Sequence, residues 1–162
     1  MKNKAKIIFL TALLLGLFGW AGNSQAADQT AASCSAADIQ AAINATANGG
    51  GGTVTLPACD YTSATPNGAL WSSGSKICIA STNEIKVIGQ GQNLTKIGYA
   101  DGATPGYGSV SCPGGNGSVA QAFPISIKGA GIKELGQFTF DANSRAGGIY
   151  WLQCMGSTSA EK

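Results

Sequence analysis

The residues of this sequence that could act on a substrate cluster between positions 141 and 151. Asp141 and Arg145 stand four residues apart around a predicted turn, and Tyr150 and Trp151 could stack on sugar rings. The sequence contains no His, which excludes Ser–His and Cys–His nucleophile systems and most zinc centres. We therefore take Asp141, Arg145, Tyr150 and Trp151 as candidate substrate-binding residues.

Each candidate also has a purely structural explanation. Asp141 can be a turn residue that accepts backbone N–H bonds beside a solvated Arg145. Side chains alternate between the two faces of a strand, so a strand over 149–152 would point either Tyr150 or Trp151 into the protein. The other acidic residues are spread singly, without the paired carboxylates that glycoside hydrolysis requires. The sequence accordingly predicts no catalytic residue and no metal site.

The chain begins with features of an export signal. Lys2, Lys4 and Lys6 form a basic start, 7–21 is an almost unbroken apolar run, and the small residues Ser24 and Ala26 mark a cleavage site. A membrane anchor is the alternative, but the run is shorter than the roughly 20 apolar residues that a spanning helix needs. We expect a signal peptide over 1–26 and a secreted product, extracellular or periplasmic, with no membrane attachment.

The charge balance of 27–162 gives no basis for nucleic-acid binding. Three of the 10 Lys and Arg residues lie in the predicted signal peptide, so seven remain against 8 Asp and Glu, for a net charge of −1. A nucleic-acid-binding protein would need a basic stripe. All 5 cysteines also lie in this part, where export favours disulfides. The odd number leaves one thiol that is free or pairs elsewhere.

Beyond a polar leader over 27–33, one short helix is predicted. Ser35 can cap a helix over 36–47 whose residues Ile39, Ala42, Ile43 and Ala47 share one face. Glycines end it, and short β-branched segments follow, each bounded by turn residues. The predicted strands are 53–57, 76–80, 84–89, 95–99, 123–128, 132–135, 137–141 and 148–153. Residues 100–122 are predicted to be an excursion loop.

Two parts of the strand region are rough repeats of one another. The segments 77–79 and 84–89 resemble 125–127 and 132–136 in sequence, and each pair is predicted to form two strands joined at a corner. An antiparallel sandwich is the alternative architecture, but it would want cleaner alternation and two-residue turns between neighbouring strands. We therefore expect parallel stacking, with 53–57, 85–89 and 132–135 in register.

The entry into these strands resembles the N-terminal coils of secreted right-handed parallel β-helix proteins of the pectate-lyase-like superfamily. The resemblance is carried by 34–44 (CSAADIQAAIN), 52–57 (GTVTLP), 85–91 (IKVIGQG) and 138–141 (FTFD). It implies an all-β fold, a partial right-handed parallel β-helix of about three coils with the helix as its N-terminal cap, over 34–162.

The resemblance also implies a disulfide and a class of ligand. Where the family reads Pro-Ala-Gly-Thr-Tyr, 57–61 reads PACDY, so Cys59 is expected to pair with Cys34 near the cap. Apart from the resemblance, Cys78 is expected to pair with Cys112, because that bond would tie the excursion loop to the body of the domain. A family lyase would use Ca²⁺, but no cofactor is evident from the residues themselves. The implied partner is a polysaccharide or a cell-surface glycan.

Two functional classes follow from the resemblance. The chain is either the N-terminal part of a polysaccharide lyase or glycoside hydrolase, or a non-catalytic, adhesin-like or structural glycan-binding protein. In both cases we expect the chain alone not to be an enzyme, because its carboxylates are dispersed. The polar tail 155–162 is short, so we also expect an open last coil that favours self-association.

Overall fold

The computed structural model describes residues 26–103, 109–111, 118–120, 124–128 and 132–141. Sheets of mostly parallel strands and one helix make up this part of the chain. The elements are β1 (Gln29–Thr30), α1 (Ala36–Asn48), β2 (Gly52–Thr55), β3 (Cys59–Asp60), β4 (Leu70–Trp71), β5 (Ile77–Ala80), β6 (Ile85–Ile88), β7 (Thr95–Tyr99), β8 (Ser109–Ser111), β9 (Ser118–Ala120), β10 (Ile125–Lys128), β11 (Ile132–Gly136) and β12 (Thr139–Asp141).

Helix α1 begins at a side-chain cap, as predicted. Ser35 has extended backbone angles, and its Oγ accepts a hydrogen bond of 3.1 Å from the backbone N–H of Asp38. The Oγ of Ser33 also donates to Asp38 Oδ2 at 2.5 Å. The bond to Ser35 satisfies a backbone donor that a helix start leaves without an intrahelical partner, and the bond from Ser33 holds the Asp38 side chain beside the cap. The prediction of a helix over 36–47 is confirmed to within one residue.

The glycines after α1 are required by the path of the chain. Gly50, Gly51 and Gly52 all have positive φ, which only glycine adopts at little cost. A Cβ on Gly51 would lie 2.5 Å from the carbonyl oxygen of Glu84. This close approach lets β2 enter the first sheet directly after the helix.

The first sheet has the strand order β1-β2-β6-β11, and all its pairs are parallel. Val54 on β2 lies beside Val87 on β6, which lies beside Leu135 on β11. Val54 and Val87 are fully buried. The predicted stacking of 53–57, 85–89 and 132–135 is confirmed by this register.

The second sheet contains β5 and β10, again parallel, with Ile77 beside Ile125 and Ile79 beside Ile127. All four side chains are buried. The two rough repeats seen in the sequence therefore lie side by side in space. β5 pairs with β10, and β6 pairs with β11.

The third sheet is built around β7, which pairs with β12 on one side and with both β3 and β4 on the other. Its inward side chains, Thr95, Ile97 and Tyr99, are buried. The ring of Tyr99 also belongs to an aromatic cluster. Trp71, Tyr99 and Phe140 make edge-to-face contacts with one another, with ring centroids 5.2 to 5.9 Å apart.

The fold class predicted from the sequence is wrong. A partial right-handed β-helix in an all-β protein was expected, whereas the described residues form a mixed structure of α-helix and parallel sheets. The helix is part of the core: Ile39, Ala42, Ile43 and Thr46 are buried, and α1 contacts strands of both the first and second sheets. Short strand patterns could predict parallel pairing, but not how much of the core the helix supplies.

Three segments contain strands that the sequence did not indicate. Gln29 and Thr30, in the polar stretch 27–33, pair with Val54 and Thr55. The short strands β3 and β4 both pair with β7. Within 100–122, β8 and β9 form an antiparallel pair. All were missed because they are two or three residues long and carry little apolar periodicity. The predicted strand 148–153 lies outside the described residues.

A core substitution in the helix tests whether α1 belongs to the core. Ile43 is 2% exposed, so Ile43→Ala should lower the free energy of unfolding by about 2–5 kcal/mol through lost burial and a residual cavity. Ala41, on the exposed face of α1, provides the control, because Ala41→Ser should change stability by less than about 0.5 kcal/mol. Urea unfolding curves measure both, and equal effects would contradict the assignment.

Candidate functional site

The outer face of the third sheet brings together charged, aromatic and hydroxyl side chains. Because strand side chains alternate, Lys96 and Gly98 of β7 point away from the buried Thr95, Ile97 and Tyr99. The register sets Lys96 between Asp60 and Thr139, and Gly98 between Leu70 and Asp141. We call this surface the Tyr61 face; it consists of Asp60, Tyr61, Leu70, Lys96, Thr139 and Asp141.

Tyr61 crosses over β7 at the one outward position that has no side chain. Its backbone N–H donates to the carbonyl of Lys96 at 3.1 Å, which fixes the start of the loop after β3. A Cβ added to Gly98 would lie 2.8 Å from Tyr61 Cγ and 3.0 Å from Cδ1. The ring therefore rests on the backbone of Gly98, and Tyr61 as a whole is partly buried.

The far end of the tyrosine is held by the candidate residue Asp141. The Tyr61 hydroxyl donates to Asp141 Oδ2 at 2.5 Å, so the side chain bridges from the β3 edge of β7 to β12. The hydrogen bond to Asp141 is the main cause that raises the pKa of Tyr61 above its usual value of 10.0; burial adds to it. The ring is thus fixed at both ends and stays protonated at neutral pH.

An ion pair forms the second row of the face. Lys96 Nζ lies 2.9 Å from Asp60 Oδ2, and each side chain is 33% exposed. The other oxygen of Asp60 accepts from the backbone N–H of Thr62 at 2.9 Å and from its hydroxyl at 2.7 Å. Hydrogen bonding by Lys96, then by Thr62, lowers the pKa of Asp60 from 3.8 to about 2. Asp60 is therefore ionised at neutral pH.

The face is tied to the core by a disulfide. Cys34 and Cys59 are bonded, with their Cα atoms 6.4 Å apart, which confirms the predicted pair. Cys59 is the residue of β3 next to Asp60, and the indole N–H of Trp71 donates to the carbonyl of Cys34 at 2.8 Å. Cys78 is also in a disulfide. Its predicted partner, Cys112, lies outside the described residues.

Of the four predicted substrate-binding residues, only Asp141 falls within the described part of the chain. It ends strand β12 and contacts Tyr61. Arg145, Tyr150 and Trp151 lie outside the described residues. Trp71, another aromatic that could stack on sugars, is 2% exposed and belongs to the core.

Tyr61 is the residue that the sequence analysis missed. Nothing in its neighbourhood along the chain points to Asp141, which is 80 residues away. A signal did exist at Gly98, because glycine within a strand often marks a place where another group approaches the backbone closely. That signal says that something covers β7, but not which residue does.

A cleft of about 420 Å³ lies beside β2 and β6. Its lining includes Thr53, Asn83, Glu84 and Lys86, together with small residues. It has no aromatic side chain, whereas the Tyr61 face combines a fixed ring with charged and hydroxyl groups. The Tyr61 face is therefore the better candidate for recognising a ligand.

Within the described ranges, no group of three or more His, Cys, Asp or Glu residues is placed to hold a metal ion. Among the same residues, no helix is long and apolar enough to cross a membrane. No protein-family model matches the chain, and no curated protein or solved structure matches it. The resemblance to pectate-lyase-like proteins therefore stays a prediction.

Gly98→Ala tests whether this glycine seats the Tyr61 ring. The new methyl group would displace the ring and break its bond to Asp141, at a cost of about 1–3 kcal/mol. The tyrosine whose pKa is raised by Asp141 should then titrate closer to 10.0, as followed by ¹³C NMR of the tyrosine rings. Gly136→Ala is the matched control in β11, since a Cβ there meets nothing within 4 Å. An unchanged Tyr61 titration in Gly98→Ala would refute the contact.

The Asp60–Lys96 pair predicts a specific acid sensitivity. Because the folded-state pKa of Asp60 is lowered from 3.8 to about 2, its contribution to stability is fully present above pH 3.8 and is lost as the pH falls through about 2. Lys96→Met should return the Asp60 pKa toward 3.8 and remove this part of the acid dependence. Denaturant unfolding between pH 2 and 5, with NMR titration of Asp60, measures both. Lys86→Met, on the exposed side of β6, should leave them unchanged.

Proposed function

We propose that the chain is an exported, non-catalytic polysaccharide-binding protein whose binding surface is the Tyr61 face. The observation that carries the proposal is the ring of Tyr61, fixed over Gly98 and bonded to Asp141. A sugar ring offers C–H groups on its faces and hydroxyls at its edges. A fixed aromatic ring beside carboxylates and a threonine hydroxyl complements both kinds of group.

The neighbours of Tyr61 extend this complementarity. Leu70, 45% exposed, lies in register with Gly98 on the side opposite Asp141. The row Leu70, Tyr61 and Asp141 thus runs from apolar through aromatic to charged. The parallel row, Asp60, Lys96 and Thr139, is polar throughout. An extended polymer could lie along the apolar row and form hydrogen bonds to the polar one.

The disulfide and the leader support the exported location. A Cys34–Cys59 bond fits an oxidising compartment, because such bonds are rare where thiols are kept reduced. The basic and apolar start of the chain, followed by small residues at 24–26, supplies the corresponding export signal. We therefore include secretion of the chain in the proposed function.

A binding role is favoured over catalysis by the chemistry of Asp60. A glycosidase needs a carboxylic acid that stays protonated near neutral pH, with a raised pKa. The pKa of Asp60 is lowered to about 2 by Lys96 and Thr62, so this residue cannot be that acid. The described residues also lack a carboxylate cluster for Ca²⁺, which a lyase of the resembled family would use.

Tyr61→Ala in the full chain, purified after export, tests the proposal. Affinity electrophoresis in gels that contain xylan, galactan, glucan or polygalacturonate should show retardation of the unaltered protein by at least one polymer. Loss of the ring should weaken that binding about 10-fold, the effect of one good aromatic contact. Tyr61→Phe should keep much of the binding, since it keeps the ring.

Leu94→Ala is the control, because Leu94 is 58% exposed but lies outside the Tyr61 face. It should bind like the unaltered protein. Binding that survives Tyr61→Ala, or no retardation by any of the four polymers, would overturn the proposal.

A further inference from the structure

We infer that the Tyr61 face selects uncharged polysaccharides and that Asp60 is the residue that excludes uronate polymers. The inference rests on the proposed function and names the ligand class of the same surface. It runs against the anionic pectate that the family resemblance would imply. The positive charge of the face is already engaged in an ion pair.

Lys96 is the only cationic residue in the four strands of the third sheet, β3, β4, β7 and β12. Its ammonium lies 2.9 Å from Asp60 Oδ2. A uronate carboxylate approaching this row would meet an ammonium whose charge is already neutralised, next to the carboxylate that neutralises it. The uronate carboxylate and the Asp60 carboxylate would repel each other beside the same ammonium. The row therefore offers little attraction to a polyanion.

Asp60 is not free to swing away from Lys96. Its Oδ1 accepts two hydrogen bonds from Thr62, of 2.9 Å from the backbone N–H and 2.7 Å from the hydroxyl. Its backbone is paired with Lys96 in the sheet, and Cys59 beside it is anchored by the disulfide. These contacts hold the Asp60 carboxylate beside Lys96, so the ion pair is a stable feature of the surface.

The remaining groups of the face suit hydroxyls and C–H surfaces. Tyr61 offers a ring, and Leu70 offers an exposed aliphatic side chain. Thr139 is exposed, and its hydroxyl donates to the carbonyl of Gln92 at 2.9 Å, which leaves its oxygen able to accept. Asp60 and Asp141 can accept hydrogen bonds from sugar hydroxyls. These are the contacts that a neutral hexose or pentose polymer can make.

Asp60→Asn isolates the proposed role. The amide oxygen can keep both hydrogen bonds from Thr62, while the charge that neutralises Lys96 is removed. The ammonium then becomes available to a uronate. Binding of polygalacturonate should rise about fivefold, equivalent to roughly 1 kcal/mol for one exposed ion pair. The gain should fall when the ionic strength is raised from 0.05 to about 0.5 M, because salt screens exposed charges.

The full, exported chain is compared with Asp60→Asn and with the double variant Asp60→Asn/Lys96→Met by affinity electrophoresis. The unaltered protein should be retarded by xylan, galactan or glucan and not by polygalacturonate. Asp60→Asn should gain retardation by polygalacturonate, and the double variant should lose it again. Circular dichroism confirms that each variant is folded, and Glu134→Gln, which also removes one negative charge at an exposed position, controls for a general change of charge.

The outcomes separate this inference from the proposed function. Tyr61-dependent binding of polygalacturonate by the unaltered protein would overturn the inference and leave polysaccharide binding standing. A folded Asp60→Asn variant without any gain would also overturn the inference. Failure of all four polymers to bind the unaltered protein would overturn both.

Discussion

The pairing of strand β7 with three other strands at once is the constraint on which both the core and the candidate site depend. β12 lies on one side, and β3 and β4 share the other, so β7 has strands at both edges. Because successive side chains of a strand point to opposite faces of the sheet, the residues of β7 divide into an inner and an outer set. Thr95, Ile97 and Tyr99 fill the inner side, which commits Lys96 and Gly98 to the outer one.

The two sides of this sheet are coupled through the same few residues. On the inner side, Phe140 packs with Trp71 and Tyr99, and the Tyr99 hydroxyl donates to the carbonyl of Ser75. On the outer side, Asp141 follows Phe140 directly and holds Tyr61. Any shift of β12 that disturbed the aromatic cluster would therefore also move the anchor of the tyrosine. The core keeps the outer face in place.

The charge states of the outer face are set by its hydrogen bonds and its ion pair. Both groups with a shifted pKa are held in their ordinary charge state at neutral pH: Asp60 is ionised because of Lys96 and Thr62, and Tyr61 is protonated because of Asp141. Acid–base catalysis near neutral pH would require shifts in the other direction. These charge states agree with the binding role that we propose for the Tyr61 face.

What the sequence alone determined is local. Ser35 and the apolar spacing of Ile39 and Ile43 predicted the helix, since a cap and a 3.6-residue period are properties of neighbouring residues. The β-branched segments predicted the longer strands and their parallel stacking. The pairing of Cys34 with Cys59 was expected because one residue precedes the helix and the other follows the strand that the helix covers, and it is confirmed.

Only the tertiary structure decided the fold class and the site. The share of the core taken by α1 depends on contacts with strands of two sheets, which no local period encodes. Tyr61 meets Asp141 across 80 residues, and only because Gly98, between Leu70 of β4 and Asp141 of β12, has no side chain. Two-residue strands such as β1 and β3 likewise carry too few side chains for a pattern, and they exist because a longer neighbour supplies their hydrogen bonds.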